Sequence, residues 1–535
     1  MIDQTSCGFR EDRKNLIERC AHVIRDYIPL VEIWLEIICA ISYKTVIYLE
    51  VTSSNAGIVI FVQFRSGRHL YNKSMARNLI RIFLVLALLA LAVFVPLVSS
   101  GYYELKKATS SDSYSEAARH YQAAAQRIPW RADLYELSGH AYYHAKDYGQ
   151  AEVAYQRAFS RQALSPAGWV AWGDVAYLND DPQGATGIWQ NGLEQQNPSD
   201  QLYLRLAKIA QEHGEFSAAA DYLQRYIATH PEDASAHYRL GLLLILSDPE
   251  RALTELINAS QLDPQFDPAV QTLRTASNLA SLNESDSAHF VIIGRGLGLV
   301  NEWQLAYAAF EEAIQADKKN AEAWAWLGEA GQQMNWAGGE TALDSALRLD
   351  PNLPAVRGLR GLYFQRIGNY RQALTEFQSA ARLEPENPAW FVSMGETYAK
   401  LGDLIRALEA YQAATELAPE DANTWRLLAI FCAQNNVNIS NVGVPAAQKA
   451  ALLAKADTTS LDVLGWLLTL DARYEEAERM LSRALELDAQ NASAHLHFGM
   501  LYLQTDERAL AYEHLVQARD LGNGEAGGLL QQYFP

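Results

Sequence analysis

Few residues of this chain are grouped in a way that could do chemistry. His140 and His144 stand four apart, which puts them on one face of a helix. A metal centre would need further ligands, and no His-Glu-x-x-His sequence occurs. Contact with a partner is the better functional reading of this pair, and ordinary surface histidines are a better reading still. Residues 294–298 (GRGLG) have glycines but lie in a helical pattern without the preceding strand that a dinucleotide turn requires. His495 and His497 straddle a helix and cannot chelate from there. Asp180, Asp181 and Pro182 fit a turn between helices. No Gly-x-Ser-x-Gly, Walker loop or Cys-x-x-Cys is present in the sequence. The residues point away from an enzyme, a bound cofactor or a metal.

The elements that carry these residues recur. Small residues stand at Gly139, Gly173, Ala207, Gly241, Gly294, Gly328, Gly361, Gly395, Ala429, Gly465 and Gly499, and most neighbours in this series are 34 apart. A bulky residue usually sits four before the small one, as at Tyr135, Trp169, Tyr203, Trp324, Phe391 and Trp425. An alanine follows 12 after it in most copies: Ala151, Ala185, Ala219, Ala306, Ala373, Ala407, Ala477 and Ala511. Prolines such as Pro198, Pro231, Pro264, Pro351, Pro385 and Pro419 end the copies. Small residues suit close helix crossings and aromatics supply bulk, so each copy reads as a pair of helices.

This pattern resembles the tetratricopeptide repeat family. The resemblance implies an all-α fold, an α-solenoid in which helix pairs stack into a right-handed superhelix, and binding of other proteins. The expected layout is a first block of repeats over 114–264, an irregular insertion helix over 265–286 and a second block over 287–434. A loop and extra helix follow over 435–457, then the last two repeats with a capping helix over 458–535. Residues 115–129 read as an opening half-repeat.

An apolar run begins at Ile82 and ends at Val98 (residues 82–98, IFLVLALLALAVFVPLV), long enough to span a bilayer at the short end of the range. Residues 78–100 are therefore expected to form one transmembrane helix or signal anchor ahead of the solenoid. The alternative is a cleaved signal peptide and a secreted array. Arg65, Arg68, Lys73, Arg77 and Arg81 precede the run, and only Lys106 and Lys107 follow closely. That bias places the N-terminus in the cytoplasm and the repeats outside it. Residues 1–74 look foreign to the rest. They hold Cys7, Cys20 and Cys39, against Cys432 alone later, and residues 57–64 read as an isolated strand with nothing to pair with. Met75 opens the ordinary layout of an exported protein, so translation is expected to start there, or else 1–74 form a small cytoplasmic extension.

The chain carries 44 basic and 63 acidic residues. Only 11 and 8 of these fall before residue 101, so the rest holds 33 and 55, a net charge of −22. Such an array repels nucleic acid and favours basic partners.

The first helices of the repeats turn certain positions inward in this family. By that resemblance the groove offers Asp133, Glu136, His140, Tyr143 and His144 in the first repeat. Asp174, Tyr177, Lys208, Gln211, Tyr238 and Arg295 follow, then Glu329, Gln332, Gln365, Arg366, Glu396, Lys400 and Arg426. The Lys/Asn set with which chaperone-binding members clamp a peptide carboxylate is not kept. The groove suits a basic or polar extended segment of a protein partner. The expected function is a membrane-tethered scaffold for envelope assembly or secretion. The alternative is an accessory subunit of a machine for polysaccharide synthesis or export. Members of the family that transfer sugars carry a catalytic domain after the repeats, and here the repeats run to about residue 520, which argues against an enzyme.

Overall fold

The computed structural model describes residues 45–54, 57–66, 73–336 and 338–535, with side chains from Ile80 onward except Arg81, Val85, Leu88, Leu89, Leu91 and Ala337. The sequence readings on residues 1–44, including Cys7, Cys20 and Cys39, lie outside these. The chain divides into two compact units, Met1–Ser111 with Arg119–Arg131, and Asp112–Ala118 with Ala132–Pro535.

In the first unit the strand at 57–64 is not alone. β1 (Thr45–Ser54) pairs antiparallel with β2 (Gly57–Ser66), Thr45 opposite Ser66 and Ser54 opposite Gly57. The partner strand, TVIYLEVTSS, is rich in β-branched and aromatic residues, a signal that its length of apolar sequence obscured. Helix α1 (Lys73–Thr109) contains the apolar run. Among the described residues no helix is long and apolar enough to cross a membrane. Along α1 the side chains of Ile80, Ile82, Phe83, Leu84, Leu86, Val93, Phe94, Val95 and Leu97 are exposed. Helix α2 (Tyr114–Arg127) turns back, and its second half packs on α1. Gly101 makes room there, since a Cβ would stand 2.5 Å from Ile128 Cγ1. Glu104 accepts from Arg127 at 2.8 Å and pairs with His120 at 2.6 Å. Those hydrogen bonds, Arg127's first, hold the Glu104 carboxyl below its ordinary range.

The second unit is a run of helix pairs. The first three are α3 (Asp133–His144) with α4 (Tyr148–Phe159), α5 (Pro166–Leu178) with α6 (Pro182–Leu193), and α7 (Gln201–Glu212) with α8 (Phe216–Ile227). Next come α9 (Ala234–Leu244) with α10 (Pro249–Leu262), the single helix α11 (Asp267–Ser281), and α12 (Asp286–Leu299) with α13 (Trp303–Ala316). Then follow α14 (Ala321–Gln333) with α15 (Gly339–Leu349), α16 (Pro354–Arg366) with α17 (Tyr370–Leu383), and α18 (Pro388–Lys400) with α19 (Leu404–Leu417). The run closes with α20 (Ala422–Asn435) and α21 (Val444–Leu453), α22 (Thr458–Leu470) and α23 (Tyr474–Leu487), α24 (Ala492–Gln504) and α25 (Arg508–Asp520), and α26 (Gly524–Tyr533).

The turn inside most pairs is three residues long. Its second residue has positive φ, as at Lys146, Asp180, Asn301, Gly368 and Gly402, and ends the leading helix. The N–H of the next residue returns to a carbonyl five back, Asp181 to Ala176 and Asp403 to Tyr398. That same residue often caps the following helix: Asp147, Asp181, Asn369 and Asp403 accept from the N–H groups of Gln150, Gly184, Gln372 and Arg406.

Within a pair, the small residue of the first helix lies under one large side chain of the second. A Cβ on Gly139 would meet Tyr155 at 2.8 Å, on Gly294 Phe310 at 2.5 Å, on Gly361 Phe377 at 2.5 Å and on Gly395 Tyr411 at 2.8 Å. Leu481 and Leu515 do the same over Gly465 and Gly499. The alanines at 151, 185, 219, 306, 373, 407, 477 and 511 are fully buried. The residue four before the small one does more than fill space. Trp324, Arg357, Trp425, His237 and His495 each reach the carbonyl six residues back, at 318, 351, 419, 231 and 489, and tie the loop between pairs to the next helix.

The two breaks in the repeat differ in kind. Helix α11 packs on α12 without a partner of its own. Beyond it, Gln304 at the start of α13 donates to the carbonyl of Gln211 at 2.7 Å, a contact across 93 residues. The second break, residues 435–457, supplies the second helix of a repeat: after a π turn over Ile439–Gly443, α21 packs between α20 and α22. At the end, Ala526 and Leu530 of α26 cover Leu515 and Ala518 of α25.

Replacing Gly361 with Ala should overpack the α16–α17 crossing and cost about 1–3 kcal/mol. Gly187 lies in mid-helix with open space where a Cβ would be, so Gly187→Ala should instead stabilise by about 0.5–1 kcal/mol. Amide exchange protection of residues 354–383 in the first variant and of residues 182–193 in the second reads the two signs.

Candidate functional site

First helices touch the next one at α3–α5, α12–α14, α14–α16, α18–α20, α20–α22 and α22–α24, and side-chain bonds join α5 to α7 and α16 to α18. Most of the expected polar residues are spoken for. Glu136 is buried, accepts from the N–H of Ser165 at 2.8 Å and from its hydroxyl, and pairs with His140 Nε2 at 3.3 Å. Burial pushes its carboxyl up, but the hydrogen bonds from His140 and Ser165 outweigh burial and hold it below the ordinary range. His140 Nδ1 also lies 2.9 Å from the Tyr155 hydroxyl. His144 does not join His140; its ring packs 5.1 Å from Tyr114, with Tyr143 edge-on. Asp133 lies in the first turn of α3.

Farther along, Asp174 takes both fork nitrogens of Arg205, at 2.8 and 3.1 Å, and this bond pushes the arginine up. The Tyr177 hydroxyl donates to both oxygens of Glu212, while Lys208 sits 4.9 Å over the Tyr177 ring. Gln211 receives Gln304 through its backbone. Tyr238 stacks on Phe266 at 4.6 Å, and the neighbouring Arg239 bonds Glu302. Arg295 bonds Glu322 at 3.3 Å and covers Trp326.

Glu329 is buried and accepts from Arg366 and Gln333, leaving its Oε2 without a partner among the described residues. Gln365 reaches Glu396 at 3.5 Å, and Arg426 pairs with Asp457 at 3.6 Å. Beyond the expected set, buried Asp462 of α22 binds Ser493 and His497 of α24 at 2.7 and 2.6 Å. Among the described residues, the side chains of Lys400 and Gln332 carry no hydrogen bond or ion pair. The arrangement is thus a ladder of pairs between repeats, with members 27 to 37 residues apart in sequence, save Arg239 and Glu302 at 63. Glu136 and Glu329, the two carboxylates on which a basic ligand would lean, point inward and serve the fold.

Of the partners outside the expected set, Arg205 was open to discovery by matching opposite charges about one repeat apart, since it stands 31 residues after Asp174, whereas Arg239 and Glu302 stand 63 apart. His495 and His497 lie in one helix and face different neighbours: His495 Nδ1 lies 2.9 Å from His514 Nδ1, while His497 faces Asp462. Cys432 is buried, which pushes its thiol up to about 11. Among the described residues no group of three or more His, Cys, Asp or Glu could hold a metal.

Comparison with known proteins agrees with the repeat. The tetratricopeptide repeat profile matches residues 204–266, 300–354, 359–422 and 392–436. Superkiller complex protein 3 of Mus musculus is 25% identical over 258 residues, 45% of this chain and 15% of its own. Its Homo sapiens counterpart is 24% identical over 277 residues, 49% of this chain and 17% of its own. The aligned stretch thus spans about one sixth of the length of these curated relatives. Among solved structures, the Cut9–Hcn1 hetero-tetramer of the APC/C covers 84% of this chain and 98% of that one, at 16% identity and a TM-score of 0.41. Yeast Tom70 covers 83% of this chain and 95% of that one, at 16% identity and a TM-score of 0.37. The chain carries tetratricopeptide repeats, stacked as an all-α solenoid.

The His495–His514 contact predicts a pH response. Burial, and then His495, lower the His514 pKa, with Glu513 opposing. A histidine depressed in the fold contributes its stability above the unfolded value near 6.5 and loses it as pH falls below that value. Amide protection over residues 492–533 should therefore drop between about pH 7 and 5.5, and His514→Gln should flatten the drop.

Proposed function

We propose that this chain is a membrane-anchored scaffold whose repeats hold protein partners, in the assembly or secretion of envelope proteins. The observation that carries the reading is the solenoid itself. From Asp133 to Tyr533 the helices are spent on stacking, and the face of their first helices is stiffened by pairs that cross from repeat to repeat. A stiff extended face presents many contact points without reordering, which lowers the entropic cost of binding. Lys400 and Gln332, the side chains that the ladder leaves free, are the positions for a partner to meet. The net charge of −22 beyond residue 100 favours partners with basic or polar segments. The superkiller relatives are, by name, components of a complex.

Anchoring through residues 82–98 is supported by the uncharged run and by the nine large apolar side chains exposed along α1, more apolar surface than a lone helix keeps in water. The five basic residues before the run and the two after it orient the array away from the cytoplasm.

Crosslinking a C-terminally tagged chain in cells, followed by membrane solubilisation, should recover one recurrent set of envelope proteins. Lys400→Glu should reduce that recovery without altering the amount of tagged chain. Recovery of soluble cytoplasmic proteins alone, or repeats that a protease reaches only after the cytoplasm is opened, would overturn the reading.

A further inference from the structure

The end of the apolar run does not stand by itself in the first unit. The loop after α2 returns to it, and the Trp130 ring packs on Phe94 with centroids 5.7 Å apart. Phe94 lies four residues before Val98, about 6 Å along the helix, so Trp130 packs beside the end of the run. Beyond that end, Tyr102 and Tyr103 are both exposed, and Lys107 lies 4.7 Å over the Tyr103 ring. Aromatic rings on either side of a hydrophobic boundary, followed by lysines, are what the headgroup layer of a bilayer selects. There an amphipathic ring has one apolar and one wet side.

From this placement we infer that the loop headed by Trp130 is a second membrane contact, seated in the headgroup layer of a phospholipid bilayer beside the anchor. The inference rests on the anchored reading of residues 82–98. Two features hold the loop there. Gly101 lets Ile128 close on α1, where any side chain would collide with it. Glu104 grips Arg127 and His120 at once, so the carboxylate nearest the boundary is paired rather than turned toward lipid phosphates. Pro129, next to Trp130, is exposed and offers a place for a reporter.

The test uses the full chain with serines at 7, 20 and 39 and the buried Cys432 retained, reconstituted in phosphatidylcholine–phosphatidylglycerol vesicles. A polarity-sensitive dye is placed by Pro129→Cys, Val93→Cys or Gly187→Cys. Lipids brominated near the top of their acyl chains should quench the dye at 129 and at 93 several-fold more than at 187. Adding Trp130→Ser should cut the quenching at 129 and leave 93 unchanged. Quenching at 93 with none at 129 above the 187 control overturns this inference and leaves the anchor standing. No quenching at 93 overturns the anchor and the inference together. Quenching at 129 that survives Trp130→Ser unchanged overturns the part assigned to Trp130.

Discussion

The contact on which the solenoid depends is the collision that its glycines avoid. At Gly139, Gly294, Gly361, Gly395, Gly465 and Gly499 the first helix of a pair lies so close to a large side chain of the second that a single added carbon has no room. This distance fixes how each pair crosses, and the crossing fixes where the next pair must begin. Interiors packed to this density do not adjust smoothly, so the same spacing propagates from copy to copy. The fully buried alanines on the second helices are the other half of the arrangement, since they let neighbouring pairs approach to the same degree.

This constraint is also why so much of the fold was legible. A residue that must be small, a residue that must be large and a helix that must stop leave marks at fixed offsets. What the pattern does not carry is hydrogen-bond direction. The residue four before each glycine reads as bulk, yet Trp324, Arg357, Trp425, His237 and His495 share an N–H aimed at a loop carbonyl. Three chemically unlike side chains do one job because each places a donor at similar reach, and a size-based pattern cannot see that. The strand at 57–64 has its partner only two residues away in sequence, over 45–54, and Glu50 among the apolar residues of that partner conceals the pair.

What the candidate residues bind within the fold was not legible. Family resemblance supplied the positions, but whether Glu136 or Glu329 is free depends on residues about a repeat away. Ser165 and Arg366 turn both carboxylates into struts. An ionised group that is already paired and buried contributes little to recognising a ligand and would leave an uncompensated partner if it were displaced. The residues that remain without partners are therefore more informative than the most charged ones.

The bond from Gln304 to the carbonyl of Gln211 gives the second unit an unequal compliance. An untied solenoid under tension lengthens like a coil spring, each repeat opening a little against its neighbours. Between α7 and α13 the tie works as a short circuit across the coil: pulling on the chain loads a hydrogen bond that bridges 93 residues before it loads the stacking in between. Residues 211–304 would then move as a stiff collar, with softer coils on either side. Tension arriving from one end would be taken up by the repeats nearest that end before it crossed the collar, so partners held on the two sides would be mechanically insulated from each other.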